Sequence, residues 1–130
     1  MQVVIFTLGN EKFALETHLV HGIEKMMNIT KVPNAPSYIK GLANLRGTII
    51  SIIDLKQYLN IEKVSEEKNI IIIESDEERI GLMVDNVDEV VEITQDMIEK
   101  TYDDNGIAKG IINFKDYIVT FLDGELLFAK

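Results

Sequence analysis

The second half of the sequence repeats the first, and this repeat limits the folds that the chain can adopt. Four blocks align, the first two at an offset of 67 residues and the last two at an offset of 69. These blocks are residues 3–6 with 70–73, 9–11 with 76–78, 40–46 with 109–115, and 49–54 with 118–123. Matched Gly, Asn and Asp positions favour a duplication over chance similarity. We therefore expect two similar halves, about 1–66 and 67–130.

Each half is small for an independent fold. A unit of about 65 residues is marginal because it buries so little of its surface. We expect the halves to share one larger core within a single domain of residues 1–130. Two halves packed together leave a groove between them, and such grooves are preferred binding sites.

Short apolar runs separated by turn signals indicate a mainly β fold. The chain has 20 isoleucines and 10 valines, and β-branched residues favour strands. The predicted elements are strands at residues 3–8, 12–15, 42–45 and 47–53, a hairpin turn at 9–11, a loop at 32–36, a helical turn at 55–59 and a connector at 62–68. Helical spacing of apolar residues also predicts a short amphipathic helix at residues 18–27.

Composition excludes several functional classes. A net charge of −9 makes the overall field unfavourable for binding nucleic acid or an anionic membrane. The absence of cysteine removes disulfides, thiolate metal sites and cysteine nucleophiles. There is no signal-peptide pattern, and no apolar run approaches the ~20 residues of a membrane helix. These features predict a cytoplasmic protein without direct membrane insertion.

The most specific motif lies in residues 32–59. It has Val-Pro, a second proline, a glycine, Asn-Leu-Arg-Gly, and an apolar strand that ends in Asp-Leu. The matching residues are Pro33, Pro36, Gly41, Asn44, Leu45, Arg46, Gly47, Asp54 and Leu55. This pattern resembles the signature of the CheW family, the coupling proteins of bacterial chemotaxis. Residues 81–87 and 121–123 also look like that family, so the resemblance covers nearly the whole chain.

Three positions depart from the family pattern. Ser51 stands where the family usually has proline, and Lys56 replaces a frequent arginine. Gly22 stands where many relatives carry a glutamate, which removes one acidic partner for Arg46, although Glu24 is near in sequence. Receiver, phosphotransfer and ATP-binding domains are missing from the sequence. The chain therefore resembles the stand-alone adaptor.

The resemblance implies a fold and a function. The implied fold has two SH3-like five-stranded β-barrel subdomains that share a core, with one or two short helices; which strands close which barrel stays open, including a terminal strand that crosses over. The implied function is a non-catalytic scaffold, without cofactors, in chemotaxis signal transduction. It would couple methyl-accepting chemoreceptors to the histidine kinase CheA in receptor arrays at the inner face of the membrane.

The resemblance also implies where partners bind. The helical hairpin tip of the receptor would lie in the groove between the barrels, since a helix in a groove needs apolar anchors. The implied receptor-binding residues are Val20, Ile23, Gly41, Arg46, Val87 and Val90. Packing in the core is the competing role for the valines, and pinning of the Asn-Leu-Arg-Gly turn is the competing role for Arg46. The CheW-like regulatory domain of the kinase would dock barrel to barrel, on residues that the sequence does not identify.

Other functions remain as alternatives. An adaptor of a different signalling kinase would carry the same motif. A metal-dependent enzyme could use His18 and His21, but no third ligand is evident. Residues 103–106 have part of a calcium-loop pattern and fit a turn better. A nucleic-acid-binding barrel would need a basic groove with stacking aromatics, which this acidic chain without tryptophan lacks.

Overall fold

A computed structural model describes residues 1–101 and 106–128 of the chain. The turn predicted at 103–106 lies mostly outside these residues. The strands are β1 (Gln2–Leu8), β2 (Glu11–Glu16), β3 (Val20–Lys25), β4 (Ile39–Leu45), β5 (Thr48–Asp54), β6 (Asn69–Ser75), β7 (Glu78–Val84), β8 (Asn86–Glu92), β9 (Ile98–Lys100), β10 (Ala108–Asn113) and β11 (Ile118–Leu122). The helical elements are α1 (Leu55–Leu59) and the 3-10 turns Thr17–Leu19, Gln95–Met97 and Gly124–Phe128. None of the helices within the described ranges is long and apolar enough to cross a membrane.

The strands form two sheets, which confirms the mainly β prediction. The six-stranded sheet has the order β8-β1-β2-β11-β10-β9, and the five-stranded sheet has the order β3-β6-β7-β5-β4. Each sheet combines a hairpin from one part of the sequence with the later strands of the other part. The β1–β2 hairpin lies between β8 and β11, whereas the β6–β7 hairpin lies between β3 and β5.

Equivalent residues of the sequence repeat occupy equivalent positions in the strand pairing of the two sheets. Val20 lies opposite Ile73 where β3 meets β6, and Val87 lies opposite Phe6 where β8 meets β1. In both pairs the register shifts by one residue immediately after the valine. The two parallel contacts also correspond, since they are β5 with β7 and β11 with β2.

The central strands are buried on both faces because each sheet encloses a small core and shares a larger one. In β1, Val3 and Ile5 pack into a core within the six-stranded sheet, while Phe6 and Leu8 face the shared core. In β6, alternate isoleucines divide in the same way between the five-stranded sheet and the shared core. This double burial explains why both strands read as continuous apolar runs.

The helix predicted at 18–27 is wrong. The segment forms a 3-10 turn and then strand β3, which pairs with β6 along Val20–Lys25. Side chains in β3 alternate between half-buried and exposed, so Val20 contacts the core whereas Ile23 does not. Pairing with the buried strand β6 outweighs the helical spacing of a short apolar segment.

The other predicted local elements are confirmed. The strands, the turn after Leu8, the proline loop at 32–36 and the connector at 62–68 are all present. Helix α1 begins after Asp54, whose carboxylate accepts a hydrogen bond from the Gln57 amide at 3.2 Å. It ends at Asn60 in a left-handed conformation with φ of 58°. The Asp that ends β5 therefore also caps the helix that follows.

Candidate protein-binding surface

Four predicted apolar site residues lie on two equivalent edge strands. Strand β3 is an outer strand of the five-stranded sheet, and β8 is an outer strand of the six-stranded sheet. Val20 and Val87 are half-buried and pack against the same shared core. Further along the same strands, Ile23 is 45% exposed and Val90 is 53% exposed. The structure thus gives each sheet one apolar anchor in the core and one on the surface.

The outer edges of β3 and β8 carry no ladder partner among the described strands. Each strand pairs on one side only, with β6 and β1 respectively. An open edge next to an exposed apolar side chain is a natural place for another chain to bind. The two strands differ in charge. Strand β8 carries three acidic residues around Val90, namely Asp88, Glu89 and Glu92, whereas β3 carries one.

Gly41 is buried in β4 and serves backbone packing. A Cβ atom at this position would lie 2.2 Å from the Thr30 carbonyl oxygen, far inside van der Waals contact. Thr30 and Leu42 exchange two backbone hydrogen bonds of 2.8 Å, which hold this close approach in place. Gly110 has the same role in the other sheet, where its Cβ would lie 2.6 Å from the Glu99 carbonyl oxygen. The absence of a side chain at 41 is therefore explained by the fold.

Arg46 lies at the tip of the β4–β5 turn, where its φ is 49°. The Gly47 amide donates to the Asn44 side chain at 2.8 Å, which closes the turn without the arginine side chain. The Arg46 guanidinium instead donates to Glu24 on β3 at 3.0 Å and remains largely exposed. The turn motif therefore presents the guanidinium on the surface, next to the β3 edge.

The Arg46–Glu24 pair links opposite edges of one sheet. Strands β3 and β4 are the two outer strands of the five-stranded sheet, so a contact between them means that the sheet curls back on itself. The bridge between Thr30 and Leu42 likewise joins the segment that follows β3 to β4. Glu24 supplies the acidic partner that Gly22 cannot. The sequence showed only that Glu24 is near Gly22; the strand in the structure is what places both residues on one face.

A second pair of exposed apolar residues also occupies equivalent positions. Ile49 near the start of β5 and Ile118 at the start of β11 are each 60% exposed. Both follow a tight connection from the preceding strand and lie in the register partner positions Asn44–Ile49 and Asn113–Ile118. No sequence feature distinguished these isoleucines from buried neighbours. Only the register shows which face each one occupies.

A groove of about 680 Å³ lies where the two sheets meet. Its walls include Phe13 of β2, Leu122 of β11 and the pair formed by Tyr38 and Tyr58 of α1. The two tyrosine rings meet edge to face with centroids 5.0 Å apart. A groove between subdomains was expected, but the predicted receptor-binding residues do not line this one.

The histidines do not converge on a common ligand site. His18 Nδ1 lies 3.1 Å from Glu16, whereas His21 Nδ1 lies 3.5 Å from Glu74. Within residues 1–101 and 106–128, no group of three or more metal-ligating side chains is assembled.

Comparison with known proteins identifies the family. The CheW-like domain family matches residues 2–130. The chemotaxis protein CheW of Helicobacter pylori is 29% identical over 136 residues, covering 100% of this chain and 82% of that protein. The chemotaxis protein CheW of Klebsiella aerogenes is 35% identical over 99 residues, covering 75% of this chain. The alignment spans 60% of the Klebsiella protein, less than two thirds of its length.

A solved structure has the same architecture. The scaffolding protein TtCheW from Thermoanaerobacter tengcongensis superimposes with a TM-score of 0.90 and is 36% identical. The match covers 99% of this chain and 88% of that one. The signature around Asn44–Gly47, the two-sheet fold and the match over residues 2–130 agree: the chain belongs to the CheW-like domain family.

Proposed function

We propose that this chain is a non-catalytic adaptor that couples methyl-accepting chemoreceptors to the histidine kinase CheA in chemotaxis signalling. The CheW-like domain is an adaptor module, and the related proteins named above are chemotaxis and scaffolding proteins. The observation that carries the proposal is the pair of open edges β3 and β8, each with a half-buried valine and an exposed apolar residue. Such surfaces are suited to binding another chain.

For the receptor, we propose a surface formed by Val20, Ile23, Val87 and Val90 together with the Arg46 guanidinium. An amphipathic helix buries apolar side chains that are spaced three or four residues apart against such anchors. The exposed guanidinium can hold a carboxylate or backbone carbonyls through two parallel hydrogen bonds, a geometry that lysine lacks. Gly41 contributes indirectly by allowing β4 to pack closely against Thr30.

For the kinase regulatory domain, we propose the exposed isoleucines Ile49 and Ile118. Each is 60% exposed at the same position of its sheet, which gives the protein two similar apolar patches on different subdomains. A CheW-like partner is itself built from two such subdomains, so contact between subdomains is the simplest arrangement. A protein with these partners would lie in receptor arrays at the inner face of the membrane, without entering it.

A binding assay with separate partners tests this function. The chain is immobilised and presented with a receptor cytoplasmic fragment and, in a parallel arm, with the kinase regulatory domain. Retention of both partners is expected, and retention of neither contradicts the proposal. If the kinase of a different signalling system is retained in place of CheA, the module is an adaptor of that system.

We also propose that residues 1–66 and 67–130 derive from a duplication. The recurring registers at Val20–Ile73 and Phe6–Val87 support this proposal, because unrelated sheets have no reason to shift register at the same position. The glycines at 41 and 110, which avoid equivalent carbonyl groups, support it further.

A further inference from the structure

The connector between α1 and β6 is anchored in an unusual way. Residues 62–68 have no helix or strand and are mostly exposed, and the apolar Val64 is 56% exposed. Glu67 is the buried residue of this segment, with only 6% of its surface exposed. Segments on a protein surface normally bury their apolar residues and expose their charges. In this connector the buried side chain is instead the carboxylate of Glu67.

This carboxylate pairs with a buried lysine and, at 3.4 Å, with the exposed Lys63. Lys56 of α1 is 2% exposed, and its Nζ lies 3.2 Å from Glu67 Oε2 and 2.8 Å from Asp85 Oδ1. The same ammonium donates to the Ser65 carbonyl oxygen at 2.8 Å. Burial lowers the pKa of Lys56, but its hydrogen bonds to Asp85 and Glu67 raise that pKa above its ordinary value. The lysine is therefore held charged, with two of its contacts on the connector.

Asp85 extends the cluster to the other sheet. It lies between β7 and β8, and its Oδ2 accepts hydrogen bonds from the Ser65 hydroxyl and, at 2.8 Å, from the Gly9 amide in the β1–β2 turn. Its own amide donates to the Thr7 carbonyl oxygen at 3.0 Å. One buried group of charges thus connects α1, the connector, the β1–β2 turn and the residue that precedes β8.

We propose that Lys56 is a positioning residue, whose ion pairs hold residues 62–68 as a strap over the β1–β2 turn and fix the start of β8. Val64 of the strap is more than half exposed whereas Glu67 is buried, so the proposed attachment rests on the charges. Without the ammonium, Asp85 would be a buried carboxylate with no counter-charge, and Glu67 would keep only the exposed Lys63 at 3.4 Å, an unfavourable arrangement. The consequence for binding rests on the proposed function, because β8 carries Val87 and Val90.

Amide hydrogen exchange tests the strap directly. The probes are the Gly9 amide, bonded to Asp85, and the Lys68 amide, bonded to the Val84 carbonyl oxygen at 3.0 Å. In Lys56→Met we expect both to exchange about tenfold faster or more, since hydrogen bonds to charged groups are lost. Amides of the β4–β5 ladder in the same protein should keep the wild-type rate. Lys56→Arg retains the charge and the donors, and should restore slow exchange.

The result that would overturn the proposal is equal acceleration in the strap and the β4–β5 ladder, or no acceleration anywhere. If Lys56→Met does not fold, Glu67→Gln decides, because it leaves the Lys56–Asp85 pair intact. That variant should speed exchange at Lys68 more than in the β4–β5 ladder. An unchanged Lys68 rate in a folded Glu67→Gln protein would equally contradict the strap.

Binding of the receptor fragment gives an independent second readout. Lys56→Met should bind several-fold more weakly than the wild type, whereas Lys56→Arg should bind as the wild type does. If the wild type itself fails to bind, the proposed function is wrong while the exchange result still decides the strap. If Lys56→Met opens the strap and binds normally, the strap does not position β8.

Discussion

At the scale of single residues, the structure gives Arg46 and Lys56 opposite roles. Arg46 is exposed at a turn tip and contacts Glu24, whereas Lys56 is buried among Glu67, Asp85 and Ser65. The motif in the sequence identified Arg46, because it belongs to a recognisable turn. Nothing in the sequence marked Lys56 as buried, since its two carboxylate partners are distant in the chain and only the fold brings them together.

Replacement of Arg46 should affect binding far more than folding. An exposed ion pair such as Arg46–Glu24 contributes about 0.5 kcal/mol or less to the free energy of unfolding. We expect Arg46→Ala to unfold in urea almost as the wild type does. It should bind a receptor fragment about tenfold more weakly, because the loss of an arginine from a binding surface often lowers affinity by this much or more. Isothermal titration calorimetry measures the affinity.

The matched control for Arg46 is Glu24→Gln, which breaks the same ion pair but leaves the guanidinium in place. It should retain wild-type affinity. Equal losses in the two variants would mean that the pair acts through the sheet, and an unchanged affinity in Arg46→Ala would remove the arginine from the receptor surface.

Acid should weaken the fold through Asp85. Burial raises the pKa of Asp85, but hydrogen bonds from Lys56, Ser65 and the Gly9 amide lower it below its ordinary value. A carboxyl group with a lowered folded-state pKa stabilises the protein above its unfolded pKa, and this contribution is lost as the pH falls through the folded one. We expect the free energy of unfolding to decrease below about pH 4. Urea titrations between neutral and acidic pH measure it.

Two variants test this acid dependence, one at Asp85 itself and one at Glu66 in the connector of residues 62–68. Asp85→Asn should be less stable than the wild type at neutral pH and should lose part of the acid dependence. Glu66→Gln removes an exposed carboxylate close by and should leave the pH profile unchanged. If Asp85→Asn keeps the full acid slope of the wild type, the buried aspartate is not its source.

At the scale of elements, the strand pairing explains both the correct and the incorrect predictions. The short apolar runs of β1 and β2 with the Gly-Asn-Glu turn between them are local signals, and so is the short apolar segment that follows Asp54, so the hairpin and the helical turn could be predicted from sequence. The segment at 18–27 could not, because its strand conformation depends on β6, which lies far along the chain. The positions of Ile23 and Ile49 on exposed faces follow from register alone.

Substitutions in the two exposed apolar pairs should affect the binding of different partners. We expect Ile23→Thr with Val90→Thr to weaken receptor binding, because β3 and β8 carry the proposed receptor surface. Ile49→Thr with Ile118→Thr should weaken binding of the kinase regulatory domain instead. Each single substitution should change the free energy of unfolding by about 0.5 kcal/mol or less, as is usual for exposed sites.

Each double variant is the control for the other, and both are titrated against both partners. A crossed result, in which each variant loses only its proposed partner, is expected. Equal losses for both partners in both variants would contradict the assignment of separate surfaces.

At the scale of the whole molecule, the two sheets are interlocked through the exchange of hairpins. The β1–β2 hairpin lies in the sheet of β8 to β11, and the β6–β7 hairpin lies in the sheet of β3 to β5. The shared core draws on both sheets, through Phe6, Leu15, Ile71 and Leu82 among others. The repeat in the sequence indicated equivalent elements but gave no information on this exchange, which depends on long-range pairing.

Separate halves should therefore fail to fold. Residues 67–130 alone would leave the β6–β7 hairpin without β3 and β5, and β8 and β11 without β1 and β2. We expect this fragment and residues 1–66 each to give unfolded circular dichroism spectra, and a mixture of the two to recover β structure. A folded 67–130 fragment would show that its strands can pair within the half.

The most direct test of the adaptor function is a titration for a ternary complex. The chain, the receptor cytoplasmic fragment and the kinase regulatory domain are mixed in pairs and together, and the masses are measured by size-exclusion chromatography with light scattering. Separate surfaces for the two partners predict both binary complexes and one complex that contains all three proteins. Competition, in which either partner displaces the other from the chain, would contradict the account.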